Sequence, residues 1–175
     1  GRARATGEAP PRLRRWWAGE PADGILLGVR PVQHPLEMWL GGLTAPSLVR
    51  CGRLADGWLG SFCSPAQAVA AKTTIDDAAA AADRRVDPEH FGVSIGYAHQ
   101  PPDDRQLAVI AARNRTADLR VLLPVGYAAV RDLLEEFIAV GMSKFVLRPP
   151  PCPNDPAAWH DELAGLADAV ADLQT

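Results

Sequence analysis

From residue 36 onward, short apolar runs alternate with longer stretches of helical spacing. Leu36–Leu40 is a short apolar run ending in Gly41-Gly42, and it predicts a strand. Ala45–Ala55 reads as a helix with Thr44 at its N-cap. Gly57–Phe62 predicts the next strand. Ser64, Pro65 and Gln67 form a capping-box pattern that opens an alanine-rich helix reaching to about Asp83. Phe91–His99 is the clearest strand, with Phe91, Val93, Ile95 and Tyr97 alternating with Gly92, Ser94, Gly96 and Ala98. Its bulky face suits packing against helices. Its small face suits either interior room or close backbone packing.

Residues 100–118 are polar around a helical stretch at Arg105–Arg113 and predict an excursion from the main fold. Val130, Leu133, Leu134, Phe137 and Ile138 then fall at helical spacing, with Gly141 as the stop. Lys144–Arg148 predicts a fourth strand, running into Pro149–Pro151. A last helix starts near Asp155-Pro156 and is expected to bury Trp159, Leu163, Leu166, Val170 and Leu173. Ahead of all this, residues 1–35 form an arm and linker. Five arginines lie in the first 15 residues, 12–18 suit the last turns of a helix, and 19–35 are rich in Gly and Pro.

Four strands, each followed by a helical segment, imply a parallel α/β architecture with right-handed crossovers. An open doubly wound sheet and part of an eight-stranded barrel both fit. In either, ligands sit at the C-terminal ends of the strands, which points to Gly41–Thr44, Phe62–Ser64, His99–Gln100 and Arg148.

Composition narrows the field. The chain has 175 residues, 47% hydrophobic and 22% charged, with net charge −3, the balance of an ordinary globular domain. Nothing in that charge calls for nucleic acid or an anionic membrane as partner, and no apolar run is long enough for a membrane span. Three separated cysteines, Cys51, Cys63 and Cys152, fit neither a disulfide framework nor a CxxC metal site, so a reducing cytoplasm is the expected setting. No metal-ligand spacing links His34, His90, His99 and His160.

Gly41-Gly42-Leu43-Thr44 is the most informative place for chemistry. Two glycines let a ligand approach the backbone, and the following helix N-terminus favours an anion. The same residues also serve as a plain turn and N-cap. The spacing is neither GxGxxG nor a P-loop. Asp56 lies at the N-terminal end of its strand and suits a turn or capping role. Cys63 is read as a small buried residue more than a nucleophile. His99 stands at the functional end of its strand as a ligand contact, a general acid or, more simply, a loop residue, with Tyr97 assigned to the other face.

The stretch PLEMWLGGLTAPSLVRCGRLADGWL (35–59), the capping box at Ser64, DPEHFGVSIGYA (87–98) and FIAVGMSKFVLRPP (137–150) resemble the luciferase-like monooxygenase superfamily. The branch they look closest to is that of the oxidoreductases dependent on coenzyme F420, a deazaflavin. The resemblance implies an α/β fold, the C-terminal half of a (β/α)8 TIM barrel over residues 36–175, with the four strands as its fifth to eighth. It implies that Gly41, Gly42, Leu43 and Thr44 help hold the cofactor, commonly near its phosphate, and that Gly60, Ser61 and Phe62 lie beside it.

The implied activity is hydride transfer between the deazaflavin and a small organic substrate. The alternatives are an FMN-dependent monooxygenase of the same superfamily and a non-catalytic half-barrel acting as an interaction module. A whole barrel needs about 250 residues. The chain, which opens on Gly1 and not on Met, is therefore expected to be part of a truncated or divided protein. It is expected to be inactive alone and to pair with a missing N-terminal half or a second copy. The resemblance carries over no catalytic residue.

Overall fold

The computed structural model describes residues 2–28, 30–33, 35–113, 122–149 and 154–173, without the side chains of 2–4 and 113. His34, Cys152 and the end of the 100–118 excursion lie outside the described residues.

Four strands are present: β1 (Trp39–Gly41), β2 (Gly57–Ser61), β3 (Phe91–Gly96) and β4 (Lys144–Arg148). They form one all-parallel sheet in the order β1-β2-β3-β4. Helix α1 (Arg2–Trp17) precedes the sheet, and α2 (Ala45–Leu54) and α3 (Pro65–Ala80) follow β1 and β2. After β3 come α4 (Asp104–Arg113) and α5 (Gly126–Ala139), and α6 (Pro156–Val170) follows β4. The fold is the parallel α/β arrangement expected, with a helix after every strand.

Register explains which face is covered. Side chains alternate across a strand, and parallel partners in register share a face. Leu40 pairs with Trp58, Trp58 with Phe91, Val93 with Phe145 and Ile95 with Leu147. This face carries the main core. Trp58, Phe91, Val93, Ile95 and Tyr97 join Ala68, Ile75, Val130 and Phe137 from the helices. Each large apolar side chain buried there contributes roughly 1.5–3 kcal/mol. The opposite face is open at its margins. Gly41 and Val146 are exposed, and Trp39 and Leu59 are half-buried. Parallel sheets are ordinarily covered on both faces. Gly92 on this face serves close packing, since a Cβ there would lie 2.8 Å from the Lys144 carbonyl oxygen.

Several elements differ in detail from the sequence reading. β1 begins at Trp39 and not Leu36, because the Met38 N–H is held by the Asp56 carboxylate at 2.9 Å before the ladder starts. α1 runs back to Arg2 through Pro10 and Pro11, so 12–17 are its last turns and the part of the arm before them is helical as well. α6 has no fully buried residue, and Leu163 is 57% exposed, so the expected buried stripe is only half-buried at Trp159, Leu166, Val170 and Leu173. The Ser64 capping box is present as expected. Ser64 Oγ accepts from the Gln67 N–H at 3.3 Å, and Gln67 Oε1 accepts from the Ser64 N–H at 3.0 Å.

Asp56 ties down the N-terminal end of the sheet. Its two oxygens accept from the Arg14 guanidinium at 2.9 and 2.8 Å, joining α1 to the loop before β2. The His90 imidazole meets the Asp56 carbonyl at 2.9 Å. This is the structural role its position suggested.

No helix among the described residues is long and apolar enough to cross a membrane.

Candidate functional site

At the C-terminal end of β1 the chain turns through Gly42, whose φ of +110° is in the region that favours glycine. A Cβ at Gly42 would lie 3.0 Å from Ser47 Cβ, and one at Gly41 would lie 3.0 Å from the Leu59 carbonyl oxygen. Both glycines are therefore fitted to bare backbone, and both are exposed. Trp58 fixes the turn from beneath, its indole N–H donating to the Gly42 carbonyl at 3.1 Å.

Thr44 takes the N-cap position of α2, but its side chain makes no capping bond. Its hydroxyl instead lies 2.8 Å from that of Ser47. Pro46 offers no N–H, and the Ser47 N–H already donates to the Thr44 carbonyl at 2.8 Å. The donors this cradle can offer an anion are thus the paired hydroxyls and the first backbone amides, a smaller set than an open helix N-terminus has. That donor set, with its bare glycines, is compatible with one phosphate group.

The end of β2 is different. Gly60 is buried on the helix-facing side, where a Cβ would collide with the Trp58 indole. Ser61 is half-buried and pairs in register with Ser94, on the face opposite the main core. Phe62 adopts φ +53°, a conformation uncommon for a non-glycine residue and costing on the order of 1–3 kcal/mol. It packs against a second small core of Ala98, Ile110, Leu122 and Leu123. The excursion after β3 thus settles over the ends of β2 and β3. It rejoins the sheet where the Ala98 N–H donates to the Pro124 carbonyl and the Gly126 N–H to the Ala98 carbonyl. Cys63 is buried, and burial pushes its thiol up to about 11, which leaves it a poor nucleophile.

A polar cluster lies at the end of β3. Glu162 Oε1 accepts from Tyr97 Oη at 2.5 Å and from Tyr127 Oη at 3.0 Å, and Glu162 Oε2 lies 2.8 Å from His99 Nε2. Burial alone would push the Glu162 carboxyl up, but bonds from Tyr97, His99 and Tyr127 outweigh it and hold the carboxyl below its ordinary value. Both tyrosines are pushed up, by burial first and by Glu162 second, so they stay protonated donors. Tyr97 and His99, assigned to different faces from the sequence, converge on one carboxylate; residues two apart on extended chain share a face. Neither Glu162 nor Tyr127 stood out in the sequence. A usable signal existed: Glu162 falls between Trp159 and Leu166 on the apolar stripe of α6, where a carboxylate must find partners.

The structure therefore brings Gly41, Gly42 and Thr44 together on one exposed turn, packs the half-buried Leu43 against the main core, sets Gly60 under the Trp58 ring, and leaves Ser61 and Phe62 at the neighbouring strand end. Among the described residues no group of three or more His, Cys, Asp or Glu is placed to hold a metal.

No family model matches the sequence, and no curated protein matches it. Solved structures do. One is an F420-dependent secondary alcohol dehydrogenase in complex with an F420–acetone adduct, with a TM-score of 0.68 at 14% identity over 97% of this chain and 62% of that one. Another is a coenzyme F420-dependent tetrahydromethanopterin reductase from Methanopyrus kandleri, with a TM-score of 0.59 at 15% identity over 95% and 62%. A monooxygenase from Streptomyces bottropensis follows, with a TM-score of 0.62 at 16% identity over 93% and 57%. The chain spans less than two thirds of the length of each. Its fold, four parallel strands with their helices, is accordingly the fold of these three proteins over that part of their length.

Proposed function

We propose that this chain is the C-terminal, cofactor-holding part of a coenzyme F420-dependent oxidoreductase of the luciferase-like type. The observation that carries the reading is the match along 97% of the chain to an F420-dependent alcohol dehydrogenase, at the TM-score of 0.68. When bound, the deazaflavin would supply the hydride chemistry with an organic substrate. The chain's own contribution is binding. Gly41, Gly42, Leu43 and Thr44 would receive a phosphate through bare backbone and the Thr44 hydroxyl. Gly60 makes room for the Trp58 ring that holds that turn, and Ser61 and Phe62 would lie beside the cofactor.

Activity would require the rest of a barrel, from a further segment, another chain or a second copy. Val146 at 44% exposure on the open face of the sheet favours such a covering layer. The similarity to a monooxygenase keeps a second reading in play, in which the same turn holds FMN.

Parallel titration of F420 and FMN into the purified chain tests the choice. Tighter binding of F420 supports the reading. Tighter binding of FMN transfers it to the monooxygenase type, and binding of neither favours a non-catalytic half-barrel.

A further inference from the structure

His99 is more than a loop residue. Its Nε2 lies 2.8 Å from Glu162 Oε2, and Glu162 has only 10% of its side chain exposed while His99 has 48%. An ionised carboxylate can only accept, so Nε2 must carry the proton and neutral His99 is confined to one tautomer. Nδ1 is then a bare lone pair on the exposed ring, with no hydrogen bond to it among the described residues. Two edge-on contacts fix the ring's angle: Tyr127 with centroids 5.2 Å apart at 89°, and Tyr97 at 5.9 Å and 87°. Tyr97 and Tyr127 bond the other oxygen of Glu162, so the carboxylate itself cannot rotate away from His99. A base oriented by a third group, in turn held by others, is the arrangement proton-transfer sites use. It stands where the chain leaves β3, at the end of the sheet where ligands of parallel α/β folds bind.

We infer that His99, oriented by Glu162, exchanges a proton with a hydroxyl or carbonyl oxygen of a ligand bound at this end of the sheet. In the forward direction the ligand's O–H bond breaks, its oxygen keeps the electron pair, and an Nδ1–H bond forms. The resulting imidazolium is stabilised by the Glu162 carboxylate. The reverse step returns the proton to an alkoxide. Glu162 is a positioning residue here, and the inference rests on the function proposed above only for placing a ligand at this end of the sheet.

The imidazole can be tested without any cofactor. Nitrogen-15 NMR of the whole chain, read on the neutral form of the imidazole, should show His99 protonated at Nε2 and bare at Nδ1. A proton on Nδ1 with Nε2 bare would overturn the inference. Diethyl pyrocarbonate acylates the free nitrogen of a neutral imidazole. His99 should react faster than the exposed His160, and Glu162→Gln should slow it by about tenfold. His99 reacting no faster than His160, or equally fast in a folded Glu162→Gln chain, would also overturn it. If Glu162→Gln fails to fold, the wild-type tautomer and the His160 comparison decide. A chain that binds no deazaflavin but passes these tests keeps the inference and loses the cofactor. A chain that binds deazaflavin but fails them loses only the inference.

Discussion

Trp58 donates its indole N–H to the carbonyl of Gly42, 16 residues earlier and one strand across, at 3.1 Å. The tryptophan is fully buried in the helix layer, yet this bond reaches the exposed turn after β1. It does so because Gly60 leaves room beneath the ring. The shape of the candidate phosphate turn is thereby set from the core.

Replacing that donor should be felt in two places. Trp58→Phe shrinks a buried ring and removes the bond to Gly42, and it should destabilise the chain by about 1–3 kcal/mol. Gly60→Ala forces a methyl group into the ring and should cost about the same through overpacking. Urea unfolding checks both, with an unchanged midpoint in either variant contradicting the account.

Asp56 offers a separate test at the opposite end of the sheet. It holds Arg14 through two bonds and the Met38 N–H through a third, with 21% of its side chain exposed. Asp56→Ala should destabilise by about 1–3 kcal/mol and loosen α1 from the sheet. Asp56→Asn, which keeps an acceptor for Met38, should cost less. Hydrogen exchange at residues 2–17 would rise in the alanine variant if the tie is real.

Much of this was readable from local pattern. The Ser64 capping box, the bounds of β4 and the parallel alternation depend on neighbours in sequence, and the structure has them. What was not readable depends on distant partners. Glu162 meets His99 and Tyr97 from 63 and 65 residues away, and no local spacing announces that. Leu36 looked like strand, but pairing is set by the Asp56–Met38 bond. Leu163 kept helical spacing yet faces solvent. In the Gly41–Thr44 turn the glycines and the cap position were legible; the Thr44 hydroxyl's turn toward Ser47 was not.

Glu162 should leave a mark on the pH dependence of stability. Its carboxyl is held below the unfolded-chain value of about 4.3. A depressed carboxyl contributes stability that is fully present above that unfolded value and is lost as pH falls through the folded one. Stability should therefore decline below about pH 4.3, and Glu162→Gln should flatten that decline. An acid limb of equal steepness in the variant would contradict the role given to the cluster.

Thiol chemistry is a further check on the core. Burial pushes the Cys51 and Cys63 thiols up to about 11, so at pH 8 both are almost wholly protonated. Iodoacetamide should leave both unmodified in the native chain and label both once the chain is unfolded, as read by peptide mass spectrometry. Rapid native labelling at either would show that the helix layer over β2 is not packed as described.

The central claim is that the turn at Gly41–Thr44 receives a deazaflavin. Hydrogen exchange of the purified chain, with and without saturating F420, tests it most directly. The account predicts that F420 slows exchange at the amides of residues 42–48, and that Gly42→Val, which places a side chain where φ is +110°, abolishes this protection. Protection confined to other segments, or unchanged protection in Gly42→Val, would contradict it.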